Sequence, residues 1–128
     1  MLNKGLKDKE SERIDNVLTT LLSFVFVPKF WNIEDTSVID NHLTNLGLTT
    51  EVLITSSHNE LLELVQRLKL DWSQQEQFAD FLISLSKGNP FDLVKKAIAI
   101  YKYIQKESKI FSCEIATKIA LAKANLKQ

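Results

Sequence analysis

Apolar residues return at every third or fourth position along most of this chain, and that rhythm is the rhythm of helix. Ile14, Val17, Leu18, Leu21 and Leu22 fall at i, i+3, i+4, i+7 and i+8, one unbroken stripe, so a first helix is expected over Ser11–Phe24. Residues 1–10 are a charged lead, read either as a flexible arm or as further turns of the same helix. Glycine (3) and proline (2) are scarce in the 128 residues, and a chain that spends so little on turns favours long helices with tight connections.

Punctuation divides the rest. Thr36–Leu46 predicts a short helix, with Val38, Ile39, His42, Leu43 and Leu46 on one face and Gly47 as its terminating residue. Thr49–Thr55 reads as one or two helical turns or a short extended piece, with Val52, Leu53 and Ile54 inward. Ser57 and Glu60 have the spacing of a capping box and open a helix that runs to Lys69. Ser73 and Glu76 repeat that spacing ahead of a helix to Lys87, where Phe78, Phe81, Leu82 and Leu85 form the stripe and Gly88 ends it. Asn89 and Pro90 suit the start of the next helix, which carries Val94, Ala97, Ile98, Tyr101 and Ile104. Ser112 caps the last, with Ile115, Ala116, Ile119, Ala122 and Leu126 inward. The expectation is an all-α chain, five or six helices in antiparallel helical hairpins, forming a compact bundle of one domain over residues 1–128.

Charge is balanced overall and uneven along the chain. Residues 1–29 carry five basic and four acidic side chains, residues 30–86 two and nine, and residues 87–128 nine and three. The expected consequence is that acidic and basic helices neighbour one another and partly cancel. The single cysteine, Cys113, allows no intrachain disulfide and no CxxC zinc site. The N-terminus lacks the apolar core of a signal peptide. The longest mostly apolar run, Val17–Val27, is short of the ~20 residues that a membrane span needs. The reading is a cytoplasmic protein without a membrane segment.

The stretch AIAIYKYIQKESKIFSCEIATKIA, residues 97–120, together with FADFLISLS, residues 78–86, resembles the closing segment of uncharacterised bacterial helical proteins of tetratricopeptide-like type. The resemblance runs from about Asp71 to the end. Most of the W, G and P positions of a regular repeat are absent, and no 34-residue period recurs along the chain. It implies helical hairpins and an interaction role; it implies no chemistry.

Residue types that carry catalysis are sparse. His42 falls on an apolar stripe, where a hydrogen-bonded boundary histidine is expected, and His58 lies in the first exposed turn after Ser57. Neither belongs to HExxH, and no ExxH occurs. Cys113 follows a capping serine, a place that lowers a thiol pKa, but no histidine is near it in sequence. Glu76 and Asp80 share a face at i, i+4, and an exposed acidic surface is the expectation there. Glycine-rich phosphate loops are missing. No catalytic residue, metal ligand or cofactor is assigned.

Two surfaces remain as candidates. Phe26, Phe30 and Trp31, in LLSFVFVPKFW, either close the core of one chain or meet a partner, and aromatic residues of this kind anchor interfaces. Lys95, Lys102, Lys106 and Lys109 form a stripe opposite Ile98 and Tyr101 that suits phosphate contact, although Arg13 and Arg67 are the only arginines. The functional expectation is a non-enzymatic adaptor or regulatory domain that binds a protein partner or a second copy of itself. The alternative is association with nucleic acid through the lysine stripe.

Overall fold

In a computed structural model, residues 2–25, 37–87, 93–108 and 112–126 are described, and among them every regular element is a helix, with no strand. Seven α-helices follow in order: α1 (Leu2–Val25), α2 (Ser37–Leu43), α3 (Thr50–Thr55), α4 (His58–Arg67), α5 (Trp72–Lys87), α6 (Val94–Ser108) and α7 (Cys113–Leu126). The aromatic residues Phe26, Phe30 and Trp31 and the expected helix start at Asn89 and Pro90 lie outside the described residues.

The first helix takes in the charged lead from Leu2 onward. Leucine and lysine fill five of the ten positions of that lead, and both are good helix formers. The stretch after Gly47 resolves as helix too. Thr49 caps α3 by accepting from the Val52 N–H at 3.2 Å. The Asp40 carboxylate accepts from the Thr50 N–H at 2.7 Å and ties α3 to α2. One expectation fails here: Leu53 is fully buried and Val52 half-buried, but Ile54 faces solvent. A helix turns about 100° per residue, so three consecutive side chains cannot share one inward face.

Helix ends follow the capping chemistry closely. A single turn of 3₁₀ helix, Thr44–Leu46, follows α2, and Gly47 at φ 74° then gives its N–H to the Thr44 carbonyl. That left-handed conformation is the one glycine adopts freely. Ser57 and Glu60 form the expected reciprocal box, and the bonds to Ser57 hold the Glu60 carboxyl below its ordinary range. The expected Ser73–Glu76 box is not the one used. Asp71 accepts from the Gln74 N–H at 2.7 Å, and the Gln74 side chain accepts from the Asp71 N–H at 3.0 Å. The helix therefore starts two residues earlier, on an aspartate, which is at least as good a cap as serine.

That start sets what α5 buries. Gln74 is almost wholly covered, and its amide donates to the Ser11 carbonyl, the Ser11 hydroxyl and the Asp15 carboxylate, each at 3.0 Å, joining α5 to α1. Gln75, also covered, donates to the Leu70 carbonyl at 2.9 Å. Phe78, Ala79, Phe81, Leu82 and Leu85 are fully buried behind them. They belong to one core that also takes Leu18 and Leu21 of α1, Ile39 and Leu43 of α2, Leu61 of α4 and Ile100 of α6.

Along α5 and α6, successive contacts run in opposite order. Ser86 accepts from the Leu93 N–H at 3.1 Å, Asp80 from the Tyr101 hydroxyl, and the Trp72 ring lies 6.2 Å from Tyr103. Helix α6 also packs on α4 and α7. Accordingly it buries Lys96, Ala97, Ile98, Ile100, Tyr101 and Ile104, a wider arc than its apolar stripe alone.

After α4 the chain reverses through Lys69, which sits at φ 58° without being glycine. A side chain in that region costs about 1 kcal/mol or more. Lys69→Gly should therefore stabilise the fold by about 0.5–1 kcal/mol, part of the gain being lost to the freer unfolded chain. Thermal or urea unfolding reads the change. Lys69→Ala, which keeps the steric penalty, should change little; equal stabilisation by both variants would refute the strain.

Candidate binding surfaces

Glu76 and Asp80 do not form a solvated acidic face. They stand one turn apart on α5, both half-buried, and the Lys118 ammonium of α7 donates to both, at 3.1 Å in the case of Asp80. Glu114, one turn before Lys118, approaches it at 3.7 Å. The second Asp80 oxygen accepts from the Tyr101 hydroxyl, so one carboxylate links α5, α6 and α7. Burial works against the Lys118 charge, but the bonds to Glu76 and Asp80 outweigh it and hold the ammonium above its ordinary pKa. Burial, reinforced by the Asp80 hydrogen bond, pushes the Tyr101 phenol far up. The cluster is a half-buried ion network that joins three helices.

The lysines of α6 separate by one position in sequence. Lys95, Lys102 and Lys106 are exposed. Their spacing of seven and four puts them in one line on the outer surface, about 10 Å and about 6 Å apart along the axis. Lys109 lies outside the described residues. Lys96, next to Lys95, turns inward and gives its ammonium protons to the carbonyls of Leu53 and Ile54, the latter at 2.7 Å. Those carbonyls belong to the end of α3, where helix oxygens lack partners and cations are favoured. Nothing in the sequence around Lys96 distinguishes it from its neighbours except its place on the inward side of the stripe.

A cleft of about 380 Å³ opens between α1, the 3₁₀ turn and the reversal from α4 into α5. Its floor is Ile14, Leu46 and Leu68, and its rim carries Arg13, Arg67, Lys69 and Asp71, with Ser11 and Gln74 beside them. Both arginines of the chain thus reach one place from positions 54 residues apart in sequence (67 minus 13). The Arg13 guanidinium donates to the Asn45 carbonyl at 3.0 Å. Arg67 also borders a smaller cleft of 160 Å³ with Ser56, Glu60, Glu63 and Leu64.

His42 is half-buried on α2, His58 is exposed at the start of α4, and Cys113 is exposed as the first residue of α7. None of the three lines either cleft. Among the described residues no group of three His, Cys, Asp or Glu side chains is placed to hold a metal ion. No helix among them is long and apolar enough to cross a membrane. No family model, curated protein or solved structure matches the chain.

The ion network predicts a pH response. Tyr101 and Lys118 both hold their protons more tightly in the fold than at the ordinary values of 10.0 and 10.5. Their contribution is complete below those values and is lost as pH rises above them, when the unfolded chain releases protons that the fold retains. The melting temperature should therefore fall steeply above pH ~10. Tyr101→Phe should cost about 1 kcal/mol at neutral pH and make that fall shallower. Parallel pH profiles of the two proteins would sink the assignment.

Proposed function

We propose that this chain is a non-enzymatic protein-interaction domain, adaptor or regulatory in kind, and that its immediate partner is a second copy of itself. One observation carries the reading. Cys113, Thr117, Ala120, Leu121 and Ala124 fall at i, i+4, i+7, i+8 and i+11 on α7 and are all exposed, Leu121 to 62%. The line itself holds no charge, and exposed Glu114 and Lys123 flank it on either side. The Thr117 hydroxyl donates to the Cys113 carbonyl at 2.9 Å, so it needs no further partner. Lys118, which would otherwise bring charge to this helix surface, is drawn inward to Glu76 and Asp80.

Such a face is complementary to itself. A two-fold pairing uses the same patch on both copies, and here Leu121 is the projecting side chain and the alanines leave the recess for it. Small residues also let two helices approach closely. One helix face is at the low end of interface sizes, so association is expected at roughly 10–100 μM. Opposed helical hairpins of α5, α6 and α7, of the tetratricopeptide-like kind, belong to the same reading, supported by the reversed contact order of α5 and α6. Phe26, Phe30 and Trp31 are kept as a second partner surface on the strength of their residue types.

A different surface favours a second reading. The exposed line of Lys95, Lys102 and Lys106 supports contact with the phosphates of a nucleic acid.

Sedimentation equilibrium from about 10 to 300 μM should show concentration-dependent dimerisation that Leu121→Lys abolishes. Leu121 is exposed, so that variant should melt like the parent. A parent that stays monomeric throughout, or a variant that dimerises equally, would overturn the self-association reading. For the second reading, binding to a mixed-sequence DNA duplex at low salt should weaken by about tenfold or more on going from 50 to 200 mM salt. It should weaken likewise in the Lys102→Glu/Lys106→Glu protein. Absence of binding at 50 mM salt would end that reading.

A further inference from the structure

We infer that the cleft between α1 and the α4–α5 reversal is a binding site for a small organic phosphate monoester with an apolar or aromatic body. It is separate from the surfaces proposed above, and its argument does not depend on them.

Three cations reach the rim from separate parts of the fold: Arg13 from α1, Arg67 from the last turn of α4, and Lys69 from the reversal that follows. The Asn45 carbonyl engages one arm of the Arg13 guanidinium and so orients a group that has five donors. The guanidinium of Arg67 and the ammonium of Lys69 make no ion pair or side-chain hydrogen bond among the described residues. Asp71 is the one carboxylate on this rim, and its Oδ1 already accepts from the Gln74 N–H. Arg67 and Lys69, with Arg13 held beside them, bring positive charge to one rim, and a phosphate monoester, at roughly −1.5 to −2 near neutral pH, answers it more fully than a carboxylate. Forked arginine donors suit its oxygens.

The floor is of the other kind. Ile14 and Leu46 are each 4% exposed and Leu68 is half-buried, so the base of the cleft is apolar. A volume of about 380 Å³ is in the range of small-molecule sites and far exceeds what a bare phosphate fills. An apolar base under a cationic rim selects a ligand with one charged end. Lys69 adds a further sign: its left-handed backbone is unfavourable for lysine, and it places an ammonium at the rim where glycine would relieve the strain.

The probe is phenyl phosphate, followed by amide chemical shifts of the full chain and by calorimetry at low salt. Binding is expected at a Kd of about 1 mM or below, with shifts centred on Ile14, Leu46 and Leu68. Arg67→Gln, at an exposed position outside the core, should weaken it about tenfold with an unchanged melting temperature, since one charge-assisted contact is lost. Lys69→Gly should weaken it while raising the melting temperature. Benzoate should bind more weakly than phenyl phosphate. Inorganic phosphate binding as tightly as phenyl phosphate would overturn the apolar half of the site. No shift at 10 mM probe, about ten times the weakest Kd expected, or equal affinity in Arg67→Gln, would overturn the site altogether. The dimer test reads a different face, so Leu121→Lys should leave phenyl phosphate binding intact.

Discussion

Where α5 begins decides most of what surrounds it. Two capping frames overlap at its start, Asp71 with Gln74 and Ser73 with Glu76, and only one can be used. The aspartate frame commits a neutral amide to the cap, and a neutral amide can be buried once it is bonded. Gln74 is buried, and its remaining donors reach α1 at Ser11 and Asp15. The serine frame would have tied up the Glu76 carboxylate at the helix end. Left out of the cap, Glu76 joins Asp80 on Lys118. One local hydrogen-bond choice thereby fixes the docking of α1 on one side of α5 and of α7 on another.

The balanced charge of the chain has a matching internal order. The acidic middle and the basic last third do neighbour each other, at Glu76, Asp80 and Lys118. The basic third is not one basic face, however. Lys118 is turned against carboxylates, Lys96 against carbonyls, and Lys95, Lys102 and Lys106 toward solvent. Drawing Lys96 and Lys118 against the protein leaves α7 with a line of uncharged side chains and α6 with a narrow cationic one. Sequence charge counts sum over these fates and so overstate what any partner would meet.

Periodicity and capping residues made the helices legible, because both act within one or two turns of the chain. The stripe of α1, the Ser57–Glu60 box, Gly47 and Ser112 all stand where local spacing puts them. Local signals failed where two of equal strength overlapped, as at Asp71 and Ser73, and where a helix has neighbours on more than one side, as α6 does. The cleft was not legible at all. Arg13 and Arg67 carry no shared spacing, and only the packing of α1 against the α4–α5 reversal brings them together. Lys69 gave no signal of its own: the apolar period ran the helix on to it, whereas α4 ends at Arg67 and Lys69 is left-handed.

Lys96 gives the shortest helix a dependence it would not otherwise have. Six residues of helix are far below the length that holds in water unaided. The last carbonyls of α3 are held by an ammonium that belongs to α6. Fluctuations that free residues 50–55 must break that grip as well as the Asp40 bond, so the stability of α3 is tied to α6 as well as to α2. A modification that neutralised the Lys96 amine would leave α6 its apolar contacts and loosen its hold on α3, leaving the short helix to the Thr49 cap, the Asp40 bond and buried Leu53.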